Sequence, residues 1–464
     1  MKRIVLACFL TTVCLNAIGQ DKLLTLNEYL AAIKRYHPIA LQAALNNDKA
    51  RYTRREALGG FDPKLEANRE QKVFGGTSYY DYLTTELKLP LWYGIDLKGS
   101  YTSYEGYYVN PENKVPKDGL SYFGVSVPLG RGLLIDERRA AIKRAAIYQK
   151  VAANEQRQML NDLFVNATHT YAEWLNAWLN TEVYKKAVEL AQVRLNGVNL
   201  LYKNGDKPAI DTLEALTLLQ SRQQKLAEYQ TLLLNKKNDL AAYLWLDNLT
   251  ATDPEKLDIK PDTGIIKTAI PDSLLLKEPA GVSAQNPEVN GYSLKIEQLN
   301  VERKLKLEEI KPTFNVNIGI LNAGGGIFNN MNFNWLQNNQ KFGFTVSMPL
   351  TFTKQRAAYS LSKIKIKEAE YSLKDKQNLI TVKWNNYRND FINFEKQIQI
   401  NNAIQNNNRL LLDGEETKFK MGESSLFLVN SREQKVLDTQ EKLNEIYTKR
   451  FKTIQYLKWL ANNW

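Results

Sequence analysis

Val125-Ser126-Val127-Pro128-Leu129 and Val346-Ser347-Met348-Pro349-Leu350 are two versions of one segment. Each closes an alternating run and opens a very long helical stretch. Phe123, Val125, Val127 and Leu129 alternate with Tyr122, Gly124, Ser126 and Pro128. Phe342, Phe344, Val346, Met348 and Leu350 alternate with Lys341, Gly343, Thr345 and Ser347. A period of two means strands with one apolar and one polar face. Other matches extend the correspondence: Arg139-Ala140-Ala141 and Gly205 return 217 positions later as Arg356-Ala357-Ala358 and Gly422. Pro38 and Pro63 return 249 positions later as Pro287 and Pro312. The chain reads as two tandem copies of one strand-and-helix unit, far longer than solenoid repeats of roughly 20–50 residues.

The first copy occupies 20–247, with a helix, strands within 61–129 and long helices within 136–247. A linker at 248–285 carries Pro254, Pro261, Pro271 and Pro279, which cannot continue a long helix, and is expected to return the chain along the outside. The second copy occupies 286–464, with a helix, strands within 312–351 and long helices within 355–464. Pro63 to Val125 spans 28 residues more than Pro312 to Val346, room for one additional or one much extended hairpin. From Asp136 to Tyr202 there is no proline, and Leu160, Phe164, Ala167, Tyr171, Trp174 and Trp178 follow at alternating spacings of 4 and 3, a heptad seam. Roughly 65 helical residues span on the order of 100 Å. The matching run goes from Gln355 to Phe419. Each is broken at one glycine turn, around Gly205 or Gly422, before a returning helix of about 40 residues.

Lys2, Arg3, the apolar run Ile4 to Leu15, and Ala17 and Gly19 read as a signal peptide over residues 1–19, so the mature chain is exported. Both cysteines, Cys8 and Cys14, lie within it and neither has the setting of a lipidated cysteine. The mature protein then has no disulfides and no thiolate metal site. The excess of 62 basic over 50 acidic residues is scattered, which fits solvated helix faces and not a nucleic-acid interface. No later segment has the roughly 18 apolar residues of a spanning helix. A membrane crossing would therefore require a closed β-barrel, which places it in a bacterial outer membrane. Tyr79, Tyr80, Tyr82, Trp92, Tyr93, Tyr101, Tyr104, Tyr107 and Tyr108 suggest an aromatic girdle there. Asn322 to Gln340, rich in Gly and Asn, reads as an outer loop.

Catalytic chemistry has little to work with. His37 and His169 are the only histidines. No phosphate-binding loop is present, since Gly324-Gly325-Gly326 follows a strand and opens no helix. Glu415-Glu416 reads as solvated. No catalytic, cofactor or metal site is expected, and the chain is not expected to be an enzyme.

The doubled order of helix, strands ending in a V-x-V-P-L type segment, long helix, glycine turn with Asp211-Thr212-Leu213, and returning helix resembles the TolC family of outer-membrane efflux and secretion channels. The resemblance covers essentially the whole mature chain. It implies an α+β membrane protein, a homotrimer whose outer-membrane β-barrel is continuous with a long periplasmic α-helical barrel. With four strands per chain, three copies would give about twelve, and more if the additional hairpin joins the barrel. It further implies a passive duct in a tripartite efflux or type I secretion system, working with a periplasmic adaptor (membrane fusion) protein and an inner-membrane pump, and bedded in outer-membrane lipid. The alternative is a non-transport coiled-coil structural protein anchored in that membrane. By the same resemblance the gate and adaptor-docking tip falls on Gly205, Asp206, Asp211, Met421, Gly422, Glu423 and Ser424. Some members carry acidic residues just beyond the second turn. This sequence departs from them, with Leu428 opposite Asp211 and Ser431 after it, leaving Asp211 and Glu423 to supply negative charge.

Overall fold

A computed structural model describes residues 22–108, 110–267, 279–324 and 339–463. The expected signal segment and most of the expected outer loop lie outside these residues. The described residues form two compact units.

One unit comprises 45–156 and 288–376 and contains a six-stranded antiparallel sheet. Its strands are β2 (Lys64–Phe74), β3 (Thr77–Pro90), β4 (Asp96–Glu105), β5 (Leu120–Pro128), β7 (Thr313–Ala323) and β8 (Gln340–Ser347), paired in that order. The 28 additional residues thus form a hairpin that joins the sheet, which has six strands among the described residues, four plus the additional hairpin. Directly opposite residues share a face. Leu65, Leu87, Gly99, Phe123 and Ile320 are opposite one another in turn, and Leu89, Leu97, Val125, Ile318 and Phe342 form the next row of the same apolar face. This face is open: Leu65 is 72% exposed and Phe342 70%. The register also corrects the aromatic girdle. Tyr101 lies on the apolar face, but Tyr82 and Tyr104 are opposite each other on the polar face, with Tyr80 beside them. Tyrosines cluster in sequence here because they occupy successive strands, and strand parity divides them between the faces.

At the base of the sheet, Asp136 caps the long helix α3 (Glu137–Lys203), its carboxylate accepting from the Arg139 N–H at 2.9 Å. Helix α6 (Pro287–Glu308) packs on α3 and the residue Ile135 before it through Ala140 and Leu305, supported by Arg144–Glu302 at 2.9 Å and Lys150–Glu297 at 3.2 Å.

The other unit comprises the described residues up to Ala44, of 157–287 and of 377–464. Helix α1 (Leu26–Tyr36) opens with a Thr25/Glu28 capping box and ends at His37, held extended before Pro38, where α2 (Pro38–Leu58) begins. Tyr29, Ile33, Ala167, Tyr171, Trp174 and Leu240 form its core, so the middle of the heptad seam of α3 is buried, while Leu160, Phe164 and Trp178 of the same seam are half-buried. Part of the Pro-rich stretch has regular structure among its described residues. Within it β6 (Ile259–Pro261) pairs parallel with β1 (Lys22–Leu24), and the Tyr171 hydroxyl donates to the Leu24 carbonyl at 2.8 Å while accepting from the Asp262 N–H at 3.2 Å. The stretch ends in α5 (Pro279–Gln285). Helix α4 (Ala209–Ala241) follows α3, and α7 (Thr353–Lys420) is followed by α8 (Leu426–Leu460). The returning helices have 33 and 35 residues, shorter than expected. No helix among the described residues is long and apolar enough to cross a membrane, which says nothing of a β-barrel.

Candidate functional site at the paired helical turns

The α3–α4 and α7–α8 turns have the same backbone chemistry. The Gly205 N–H donates to the Tyr202 carbonyl at 3.0 Å and the Asp206 N–H to Leu201 at 2.9 Å. The Gly422 N–H donates to Phe419 at 3.1 Å and the Glu423 N–H to Lys418 at 2.9 Å. Both are Schellman caps, and φ of +83° at Gly205 and +82° at Gly422 explains the glycines.

The helices restart differently. Pro208 before α4 provides no side-chain cap, and Asp211 stands in the first turn, where its carboxylate meets the positive helix end. Before α8, Ser425 supplies the cap, its hydroxyl accepting from the Leu428 N–H at 3.4 Å. Asp211 and Leu428 thus occupy the same third helical position. The leucine stands where a serine has already satisfied the helix end.

Beneath the turns Val198, Ala215 and Leu426 pack in one cluster with Leu195 and Phe419, drawing together all four helices. The Lys207 ammonium lies 4.8 Å from the centre of the Phe419 ring, joining the first turn to α7. Ser424 donates to Glu415, which also pairs with Arg432 at 3.7 Å. The main tie is Arg194 of α3. It pairs with Glu433 of α8, donates to Asn430 at 3.1 Å and reaches Glu416 of α7 at 3.4 Å. Asn430 in turn donates to Glu214 of α4 at 3.1 Å. The Arg194 and Glu433 side chains are 16% and 6% exposed, so this is a largely dry connection. Beside it lies a groove of about 670 Å³ walled by Val183, Ala187, Leu190, Leu412, Val436 and Leu437.

Of the residues singled out from sequence, Gly205, Asp206, Met421, Gly422 and Glu423 are exposed at the turns, while Asp211 and Ser424 are half-buried. Arg194 and Glu433 were missed. Leu426, Val429 and Glu433 follow at helical spacings of 3 and 4, so a carboxylate on that seam was the available signal. No group of three or more potential metal ligands occurs among the described residues.

Long paired helices with Schellman turns and a sheet apolar on one face define the class of outer-membrane channel folds. VceC, an outer membrane protein of Vibrio cholerae, has a similar fold at 15% identity, with a TM-score of 0.67 over 94% of this chain and 96% of that one. The outer-membrane channel OprN gives 12% identity and a TM-score of 0.68 over 95% and 90%. In sequence, 292 residues are 28% identical to the outer membrane protein TolC of Escherichia coli (strain K12), covering 59% of this chain and 54% of that protein. The chain spans about half the length of the curated relatives it matches. No family model matches. On sequence and fold together, the chain is similar to TolC and to outer-membrane channels of that fold.

Proposed function

We propose that this protein is a passive outer-membrane export duct. The observation that carries the reading is the sheet. Its exposed apolar face suits lipid and its polar face suits a water-filled lumen, but a six-stranded sheet with two free edges cannot stand alone in a bilayer. Strand β8 runs antiparallel to β2, so the edges of neighbouring copies are compatible, and three copies of six strands would give eighteen. In this reading the two tandem copies per chain place six similar helix pairs around the axis, and their paired turns form the periplasmic gate. Gly205, Asp206, Asp211, Met421, Gly422, Glu423 and Ser424 would meet a periplasmic adaptor protein, and an inner-membrane pump of an efflux or type I secretion system would supply the energy.

Planar-bilayer recording of the purified protein tests this. Stepwise conductance is expected, increased when the tie at Arg194 is cut. A protein that inserts but never conducts, with the tie intact or cut, would be the anchored coiled-coil scaffold instead.

A further inference from the structure

One hydrogen-bonding row of the polar face reads Lys64, Lys88, Lys98, Gly124, Gly319, Lys341 from β2 to β8. Lys64, Lys88 and Lys98 stand directly opposite one another on three adjacent strands. Like charges in that arrangement oppose sheet formation.

The two glycines do not interrupt the row with empty space. A Cβ at either would run into the Tyr122 ring, which lies over both of them. The Lys341 ammonium stands 5.8 Å from the centre of that ring. The row is thus three lysines, one tyrosine lying flat on the sheet, and a fourth lysine held against the tyrosine's face.

Carboxylates on the same face do not neutralise the row. Asp96 pairs with Lys88 at 3.1 Å but is shared with Arg138 at 2.9 Å. Glu66 and Glu86 are opposite each other one row further on. Among the described residues no ion pair joins either glutamate to the row, and none engages Lys64, Lys98 or Lys341. The four ammonium groups are flanked by two unpaired carboxylates in one neighbouring row and one shared carboxylate in the other, while Glu70 lies further along the face and accepts from the Tyr80 hydroxyl at 2.8 Å. Lysines lining a pore with a low-dielectric wall concentrate anions in it.

We propose that Lys64, Lys88, Lys98 and Lys341 form an anion-attracting band on the lumen wall, giving the open pore a preference for anions, including small carboxylate or phosphate solutes. The proposal rests on the duct reading, because it needs the polar face to line water. Strand tilt makes the band climb obliquely around the barrel.

The test is the reversal potential of the full-length protein in a planar bilayer under a potassium chloride gradient. Recordings use the wild-type chain and Arg194→Ala, in which the turns are released. The expected sign is that of chloride preference. The triple variant Lys64→Glu, Lys98→Glu, Lys341→Glu, which leaves the Lys88–Asp96 pair intact, should shift the potential towards potassium and reverse its sign. The single variant Lys98→Gln should shift it part of the way. Conducting channels with the wild-type potential in the triple variant would overturn the band and leave the duct reading standing. Absence of conductance in both the wild type and Arg194→Ala would overturn the duct reading and the band with it.

Discussion

Cutting the Arg194–Glu433 connection should loosen the helical turns by an amount the structure sets. Removing one partner of a fully enclosed ion pair costs about 3–5 kcal/mol, because a buried charge is left uncompensated. Here the side chains are 16% and 6% exposed, so some water reaches Arg194 and the cost should be at the lower end, about 2–4 kcal/mol. Arg194→Met removes the charge while keeping much of the apolar stem, leaving Glu433 without its guanidinium and Asn430 and Glu416 without a donor. Amide hydrogen exchange in detergent over 190–200 and 426–436 reads the local opening. At about 1.4 kcal/mol per tenfold change, exchange should quicken by roughly 30-fold to 1,000-fold. The double variant Arg194→Met, Glu433→Leu leaves neither charge buried and should be more protected than Arg194→Met alone. Exchange in Arg194→Met within about twofold of wild type, or a double variant whose loss is the sum of the single losses, would refute the assigned role.

Gly205→Ala and Gly422→Ala should each cost about 1 kcal/mol, read as faster exchange at Asp206 and Glu423, while asparagine costs less. Nothing lies within 4 Å of a Cβ at either position, so a steric clash is not the cause and a loss far above that range would contradict the account. Burial first, then Lys452, lowers the His169 pKa from 6.5 to about 4. The folded state therefore binds fewer protons than the unfolded one between those values, and stability should be level above pH 6.5 and fall as pH drops towards 4. His169→Phe should flatten that part of the thermal-midpoint profile, and an unchanged slope would locate the titration elsewhere. Gly319→Ala should displace the Tyr122 ring and lower the thermal midpoint, whereas Gly319→Ala with Tyr122→Ser should recover part of the loss.

Much of the fold was legible because its signals are long. A proline-free run with a heptad seam leaves few alternatives to α3, and period-two alternation located β5, β7 and β8. The turns were legible because glycine is what a left-handed cap requires. Strand number was not, because 28 residues fit a longer hairpin as well as an additional one, and only pairing decides between them. The division of the tyrosines between faces was hidden for a similar reason. Parity in β3 and β4 becomes a face only when the register is known. The Arg194 connection was hidden because it joins residues 239 apart, and its two carboxylate partners belong to different helices. Strand β6 of the linker was not legible because prolines exclude a long helix but do not exclude a three-residue parallel strand.

The central claim is that the free edges β2 and β8 close between copies around a water-filled lumen. Electron cryomicroscopy of the protein in lipid nanodiscs tests it most directly. Three copies should appear, with β8 of each paired to β2 of the next in an eighteen-stranded barrel, apolar face to lipid. A single chain with an open sheet, or an assembly whose helices pack into a solid bundle with no lumen, would contradict the account.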